Sequence, residues 1–277
     1  MERRAGAEAF QPAQSAAAAG LGEPVDSVVA RDQGLLERGN RLGDAAVERH
    51  EQNVVVPSHF SCLTRSTLSS AVADLTRRDR ALARIVRAHG APPLWARRPG
   101  FATLSRIILE QQVSLASART LYGRLSKHLE GGWTPAAILR EGTTGLMGRG
   151  VTRQKAGYLF ALAERIERGE LVLRSLGRAS DEDAQRQLIA CHGVGPWTAS
   201  IYLLMALRRP DIWPPGDLAL QKALSRLLGL ERMLTNEEAI ECASQWAPYR
   251  AVAARILWCG YLGERAAPRV GSSFRRR

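Results

Sequence analysis

The chain has 277 residues, of which 45% are hydrophobic and 24% charged. That is enough to bury one or two cores, and it argues against disorder along the whole length. The greasiest run, Thr198–Leu207, is far short of a membrane span, and with no apolar core after Arg3 and Arg4 a secretory leader is not expected. Cys62, Cys191, Cys242 and Cys259 are widely scattered, with no CxxC pair and no histidine at ligand spacing. This excludes zinc fingers and cysteine-ligated iron–sulfur clusters, predicts no metal, and fits a reducing, cytoplasmic setting (nucleoid-associated in a bacterium).

The net charge of +12 is unevenly placed. Residues 1–60 carry 6 basic and 9 acidic side chains, whereas residues 61–277 carry 33 basic and 18 acidic ones, a net +15. Of the 39 basic residues 36 are arginines, so base composition contributes, but a strongly basic body is also the footprint of a nucleic-acid binder.

Residues 1–62 show weak periodicity and read as a disordered extension with a short helix near Ser27–Leu36; residues 266–277 read as a basic tail. Between them, residues 63–265 are helical in pattern. Asp79 is placed to cap a helix that Gly90 stops, and another runs from Phe101 with Leu104, Ile107, Ile108 and Gln111 on one face. Ser114 caps a third, and Thr152–Arg168 repeats the helical period. Helices follow at about Asp181–Cys191, Pro196–Leu207, Leu218–Leu228, Asn236–Trp246 and Tyr249–Leu262, with a Thr235-x-x-Glu238 capping box opening the fourth of these. No β alternation lasts long enough for a sheet, so the expected fold class is all-α.

Two segments carry the chemistry. Gly193-Val194-Gly195 separates two helical patterns, with Pro196 at the N1 position of the second. Such glycines serve an ordinary interhelical turn, or they let backbone amides at a helix start hold a phosphate. Some twenty residues on, Pro214-Pro215-Gly216-Asp217 puts an aspartate at a helix N-cap. It serves as a cap alone, or as a carboxylate at the mouth of a cleft that stabilises a developing sugar cation.

Together these segments resemble the helix-hairpin-helix DNA glycosylase superfamily, known for a hairpin and a Gly/Pro-rich loop ending in Asp. Leu104–Ser114, Gly150–Tyr158 and Trp246–Trp258 extend the likeness and are similar to the 3-methyladenine DNA glycosylase II branch. The resemblance implies two helical subdomains flanking a cleft. It implies Asp217 as the catalytic carboxylate and Gly193, Val194, Gly195 and Thr198 at the DNA backbone, with no cofactor beyond a monovalent cation at the hairpin. Trp197 stands where lyase relatives have a lysine, and Lys222 is about 140° around its helix from Asp217, so hydrolysis without lyase activity is expected. Trp197 and Trp258 are the expected base pocket, stacking on cationic N-alkylated purines; for both, a place in the core is the competing reading.

A flipped base leaves a gap, for which Gln112 is the candidate wedge, while Gln111 reads as a buried hydrogen-bonding residue. Lys155, with Arg153, is expected on phosphate, a solvated charged face being the competing reading. His192 and Ile201 depart from the family pattern, and no N-terminal β domain is legible. The implied activity is hydrolysis of alkylated bases from duplex DNA by a monomer, without membrane contact. Oxidised or deaminated bases, or a non-catalytic DNA-binding module, stay open as alternatives.

Overall fold

The computed structural model describes residues 62–266; the expectations placed on residues 1–61, including the Ser27–Leu36 helix, and on 267–277 lie outside them. Every regular element among the described residues is helical. In chain order these are α1 (Arg65–Arg78), α2 (Arg80–His89), α3 (Phe101–Glu110), α4 (Leu115–His128), α5 (Pro135–Gly148) and α6 (Arg153–Glu167). After a 3-10 turn (Ser175–Gly177) come α7 (Asp181–Ile189), α8 (Pro196–Met205), α9 (Leu218–Leu227), α10 (Asn236–Ser244) and α11 (Arg250–Ala266).

Short polar side chains start most of these helices by accepting first-turn amides that have no helical partner. Asp79 takes the amides of Ala81 and Leu82, Ser114 that of Ser117, and Thr152 that of Lys155. Thr235 and Glu238 form the expected reciprocal box. Two helices open differently. α3 and α8 begin at Gly100 and Gly195, which have no side chain to offer.

α1 and α5 go beyond the helices expected individually. α1 buries Leu68, Ala71, Val72 and Leu75 along one stripe of an otherwise polar helix. α5 holds Gly142 at φ +66 inside it, a kink that hides its period.

The helices pack as two groups. α3–α8 form one; α1, α2, α9, α10 and α11 form the other. The described residues begin in the second group, cross to the first along a strap at residues 90–100, and return through residues 206–217. α8 is buried at every position from Trp197 to Met205, and α11 from Ala251 to Trp258, so these two helices form the spine of the interior. Arg255 of α11 is wholly buried and donates to the carbonyls of Leu94 (3.1 Å), Ala251 (2.8 Å) and Leu204 (2.7 Å). Burial with only neutral acceptors pushes its guanidinium down to about 9.

Candidate active site

The return segment delivers Asp217 to the meeting of the two groups. After Pro215 and Gly216 (φ +72) the chain turns sharply, and Gly216 donates its amide to the Asn236 side chain. Asp217 is then the N-cap of α9, and its Oδ1 accepts from the amides of Ala219 and Leu220, both at 3.0 Å. Two indoles complete the shell. Trp258 of α11 donates Nε1–H to Oδ1 at 3.3 Å, and Trp197 of α8 donates Nε1–H to Oδ2 at 3.0 Å. One oxygen thus has three donors and Oδ2 one, which leaves Oδ2 the less committed of the pair.

The carboxyl is 1% exposed. Burial raises its pKa to about 7 against the lowering pull of the four donors, Trp197 foremost. This corrects the placement at a cleft mouth: Asp217 is sealed beneath the two indoles, because both tryptophans turn their N–H edges onto it. Trp197 and Trp258 are themselves buried. The structure therefore gathers Asp217, Trp197 and Trp258 into one cluster, with both tryptophans part of the core.

The hairpin stands one turn before Trp197. Gly193 is left-handed at φ +82, and a Cβ there would overlap the ring of Tyr158. Tyr158 is in turn met edge-on by His192, with ring centroids 4.8 Å apart. Val194 closes the turn by donating its amide to Cys191 O at 3.0 Å, and its side chain is buried. Gly195 caps α8 without a side chain and Pro196 occupies N1, so the first-turn amides of α8 have to be satisfied from outside the helix.

Thr198, expected at the DNA backbone, is fully buried and accepts from Gln111 Nε2 at 2.9 Å. The same Nε2 donates to Gly193 O at 2.9 Å, so Gln111 ties the end of α3 to the hairpin as a hydrogen-bonding residue. Thr198 therefore supports the hairpin from inside. Lys155, expected on phosphate, also turns inward, because the C-terminus of α3 needs donors for its last carbonyls. Its Nζ donates to Leu109 O (2.8 Å) and Gln111 O (2.7 Å). Gln112 lies exposed beyond this clamp at φ +55, with Val113 beside it.

Sequence reasoning missed three contributors. Trp95 meets the Trp258 ring edge-on at 6.4 Å, and its signal was only a tryptophan among prolines. Arg255 was hidden inside an apolar helix. Glu110 is buried against Arg97 (2.9 Å) and Arg106 (2.8 Å) directly before the Gln111 turn, and desolvation raises its carboxyl. No group of metal-ligating side chains occurs among the described residues, nor does a helix long and apolar enough to cross a membrane.

Comparison with known proteins fits this geometry. The chain is 26% identical over 193 residues to a DNA-3-methyladenine glycosylase of Saccharomyces cerevisiae, covering 57% of this chain and 65% of that one. It spans less than two thirds of the length of this and two other curated relatives, from Bacillus subtilis. The crystal structure of DNA-3-methyladenine glycosidase from Bacillus halodurans superposes with a TM-score of 0.59 at 29% identity, covering 73% of this chain and 93% of that one. At 24% identity, a Schizosaccharomyces pombe 3-methyladenine DNA glycosylase in complex with abasic DNA shares the fold, with a TM-score of 0.60 and 68% and 95% coverage. The model of the HhH-GPD superfamily of base excision DNA repair proteins matches residues 105–248, over half of the chain and from α3 through the hairpin and Asp217 to α10, so the chain belongs to that superfamily.

Proposed function

We propose that the chain is a monofunctional DNA N-glycosylase of base excision repair, acting on flipped-out alkylated purines of the 3-methyladenine type in duplex DNA. The observation that carries this reading is a buried carboxyl held by two indole N–H groups and two helix amides. An N-alkylated purine is already cationic. When its glycosidic bond breaks, the bonding pair leaves with the base, which departs neutral, and the positive charge passes to the sugar as an oxocarbenium ion. Ionised Asp217, in a site stripped of water, stabilises that charge. Water then adds to C1′ and its proton passes to Asp217 or to solvent, leaving an abasic site. A carboxyl titrating near 7 is suited to both tasks.

Indole faces attract cationic purines more than neutral ones, which favours alkylated over oxidised or deaminated bases. No lysine stands beside Asp217: its partners are indoles and amides, Lys222 is exposed on α9, and Lys155 is committed to α3. Schiff-base chemistry is therefore outside the proposal.

Duplex DNA is the proposed partner of a monomeric enzyme. The uncapped start of α8 and the Gly193 turn offer amides to a phosphate, and exposed Gln112, held left-handed, is the proposed wedge. A monovalent cation at the hairpin would be held by backbone carbonyls, of which Cys191 O and Gly193 O already accept internal donors; no chemical step runs through it. The test is base release from methylated duplex DNA by wild type and Asp217→Asn. Release of 3-methyladenine or 7-methylguanine by wild type alone supports the proposal. Tight DNA binding without release overturns the alkyl-base assignment, and oxidised and deaminated substrates then identify the lesion or leave a binding module.

A further inference from the structure

Glu110 ends α3, directly before Gln111, and takes no part in the chemistry proposed above. Its place is unfavourable twice over. A carboxylate at a helix C-terminus meets the negative end of the helix dipole, and the side chains of Glu110 and Arg97 are both almost wholly buried. Two guanidinium groups hold it there, one to each oxygen. Arg97 Nη1 donates to Oε2 at 2.9 Å, and Arg106 Nε donates to Oε1 at 2.8 Å. Buried ion pairs add little stability compared with apolar packing, and their best-attested use is to fix one arrangement among several.

The two arginines lead in different directions. Arg97 lies on the strap, where its amide donates to Met205 O at 2.9 Å and that of Gly100 to the Tyr202 hydroxyl at 2.9 Å, both on α8. Arg106 lays its guanidinium over the Tyr122 ring of α4 at 5.4 Å, and Tyr122 is itself stacked on Trp133 at 4.6 Å. Glu110 therefore joins the end of α3 to α8 through the strap and to α4 through Arg106.

Only residues 111–114 lie between α3 and α4. The chain leaves the helix at Gln111 (ψ 129), and Gln112 is held at φ +55, left-handed backbone that a glutamine rarely adopts. Such a conformation persists where its surroundings over-determine it. Gln111 and Lys155 tie the inner side of the turn to the hairpin and to α6. The Glu110 ion pairs act on the two helices from which the turn springs.

We infer that Glu110 is a positioning residue for base flipping: through Arg97 and Arg106 it fixes α3 against α4, so that Gln112 and Val113 stand ready to enter the gap a flipped base leaves. The inference rests on the proposed function, because it takes this turn to be the wedge. Extruding a base costs unpairing and unstacking, least where the base is already unpaired. A residue that acts through the wedge therefore matters for a paired lesion and little for an unpaired one, whereas a defect of the whole fold slows both.

The experiment compares the full-length wild type with Glu110→Gln, Gln112→Ala, these two combined, and Arg97→Met/Glu110→Leu. The last replaces the buried pair by apolar side chains while partly exposed Arg106 reaches solvent, which keeps the test open where Glu110→Gln does not fold. The quantity read is kcat/KM for 7-methylguanine paired with cytosine and for the same lesion in a one-nucleotide bulge, with the melting temperature beside it. The expected result is a loss of about tenfold to a hundredfold on the paired lesion in Glu110→Gln and in the apolar pair. On the bulged lesion both stay within about twofold of wild type, and adding Gln112→Ala to Glu110→Gln costs little more. Equal losses on the two substrates, additive losses with Gln112→Ala, or a folded apolar pair with wild-type activity overturn the inference. If wild type releases no base, the functional reading fails by itself and Glu110 is judged on flipping alone, from the fluorescence of 2-aminopurine paired with thymine in duplex DNA. A rise with saturating wild type that shrinks in the apolar pair then supports the role; an equal rise, or none with wild type, overturns it.

Discussion

Trp197 and Asp217 are twenty residues apart in the chain, and the indole N–H of one meets Oδ2 of the other at 3.0 Å. The bond spans the two helical groups, so the carboxyl is built from both sides at once. Removing either side changes its charge as well as its position.

Asp217→Asn separates catalysis from folding. Its loss should cut base release on the order of a thousandfold, the scale expected when a preorganised electrostatic stabiliser is removed. The same substitution should make the protein more stable in alkali. The folded pKa of about 7 lies well above that of an ordinary aspartate, 3.8, so the stabilisation from this group is complete below about pH 4 and disappears as pH rises through 7. We expect Asn to raise the melting temperature at pH 8 by roughly 5 °C, by less at pH 5, and to leave it nearly unchanged below about pH 4, read by thermal melts across pH.

The pH profile of kcat/KM should follow the ionisation of the same group. Activity is expected to rise about tenfold per pH unit below 7 and to level off above it. Trp197→Phe removes the donor that does most to hold the carboxyl down, so it should move this limb to higher pH. A limb unmoved by Trp197→Phe would detach the profile from Asp217.

Gly193→Ala should damage the hairpin twice, by forcing a Cβ into the Tyr158 ring and by holding alanine at φ +82. Weaker duplex binding, by about tenfold, and a lower melting temperature are expected. Adding Tyr158→Ala relieves the overlap alone and should restore part of the stability, measurable by melts and by fluorescence anisotropy with duplex DNA.

Lys155 and Arg153 should part company in salt titrations. Lys155→Met strips two carbonyls of α3 of their donor and is expected to cost about 1–2 kcal/mol of stability without changing the salt slope of DNA binding. Arg153 is exposed at the start of α6, and Arg153→Ala should flatten that slope by about one charge.

Borohydride should not trap the wild type covalently on abasic or damaged DNA, since Asp217 is ringed by indoles and amides where an imine-forming amine would have to stand. A trapped adduct would overturn the hydrolytic assignment.

What the chain discloses without coordinates follows how local each signal is. The caps at Asp79, Ser114, Thr235 and Asp217 are written within a few residues, and each opens its helix as read. The grouping of Asp217 with Trp197 and Trp258 needed the family likeness, since separations of 20 and 41 residues have no period. Side-chain direction was less legible. Thr198 and Lys155 are polar residues in the right segments, yet both point inward, because the Gly193 turn and the end of α3 contain backbone groups in need of partners. Trp95 was beyond reach, its place fixed by Arg255 and Met205 from helices more than a hundred residues downstream.

Arg255 limits how this molecule can move. Its cation sits in the interior with carbonyls from the strap, from α8 and from its own helix as acceptors. Swinging the two helical groups apart would strand a charge in a medium that cannot solvate it, at a cost of several kcal/mol. The three carbonyls that take up the cation therefore latch the strap, α8 and α11 together, so the indoles around Asp217 keep their spacing.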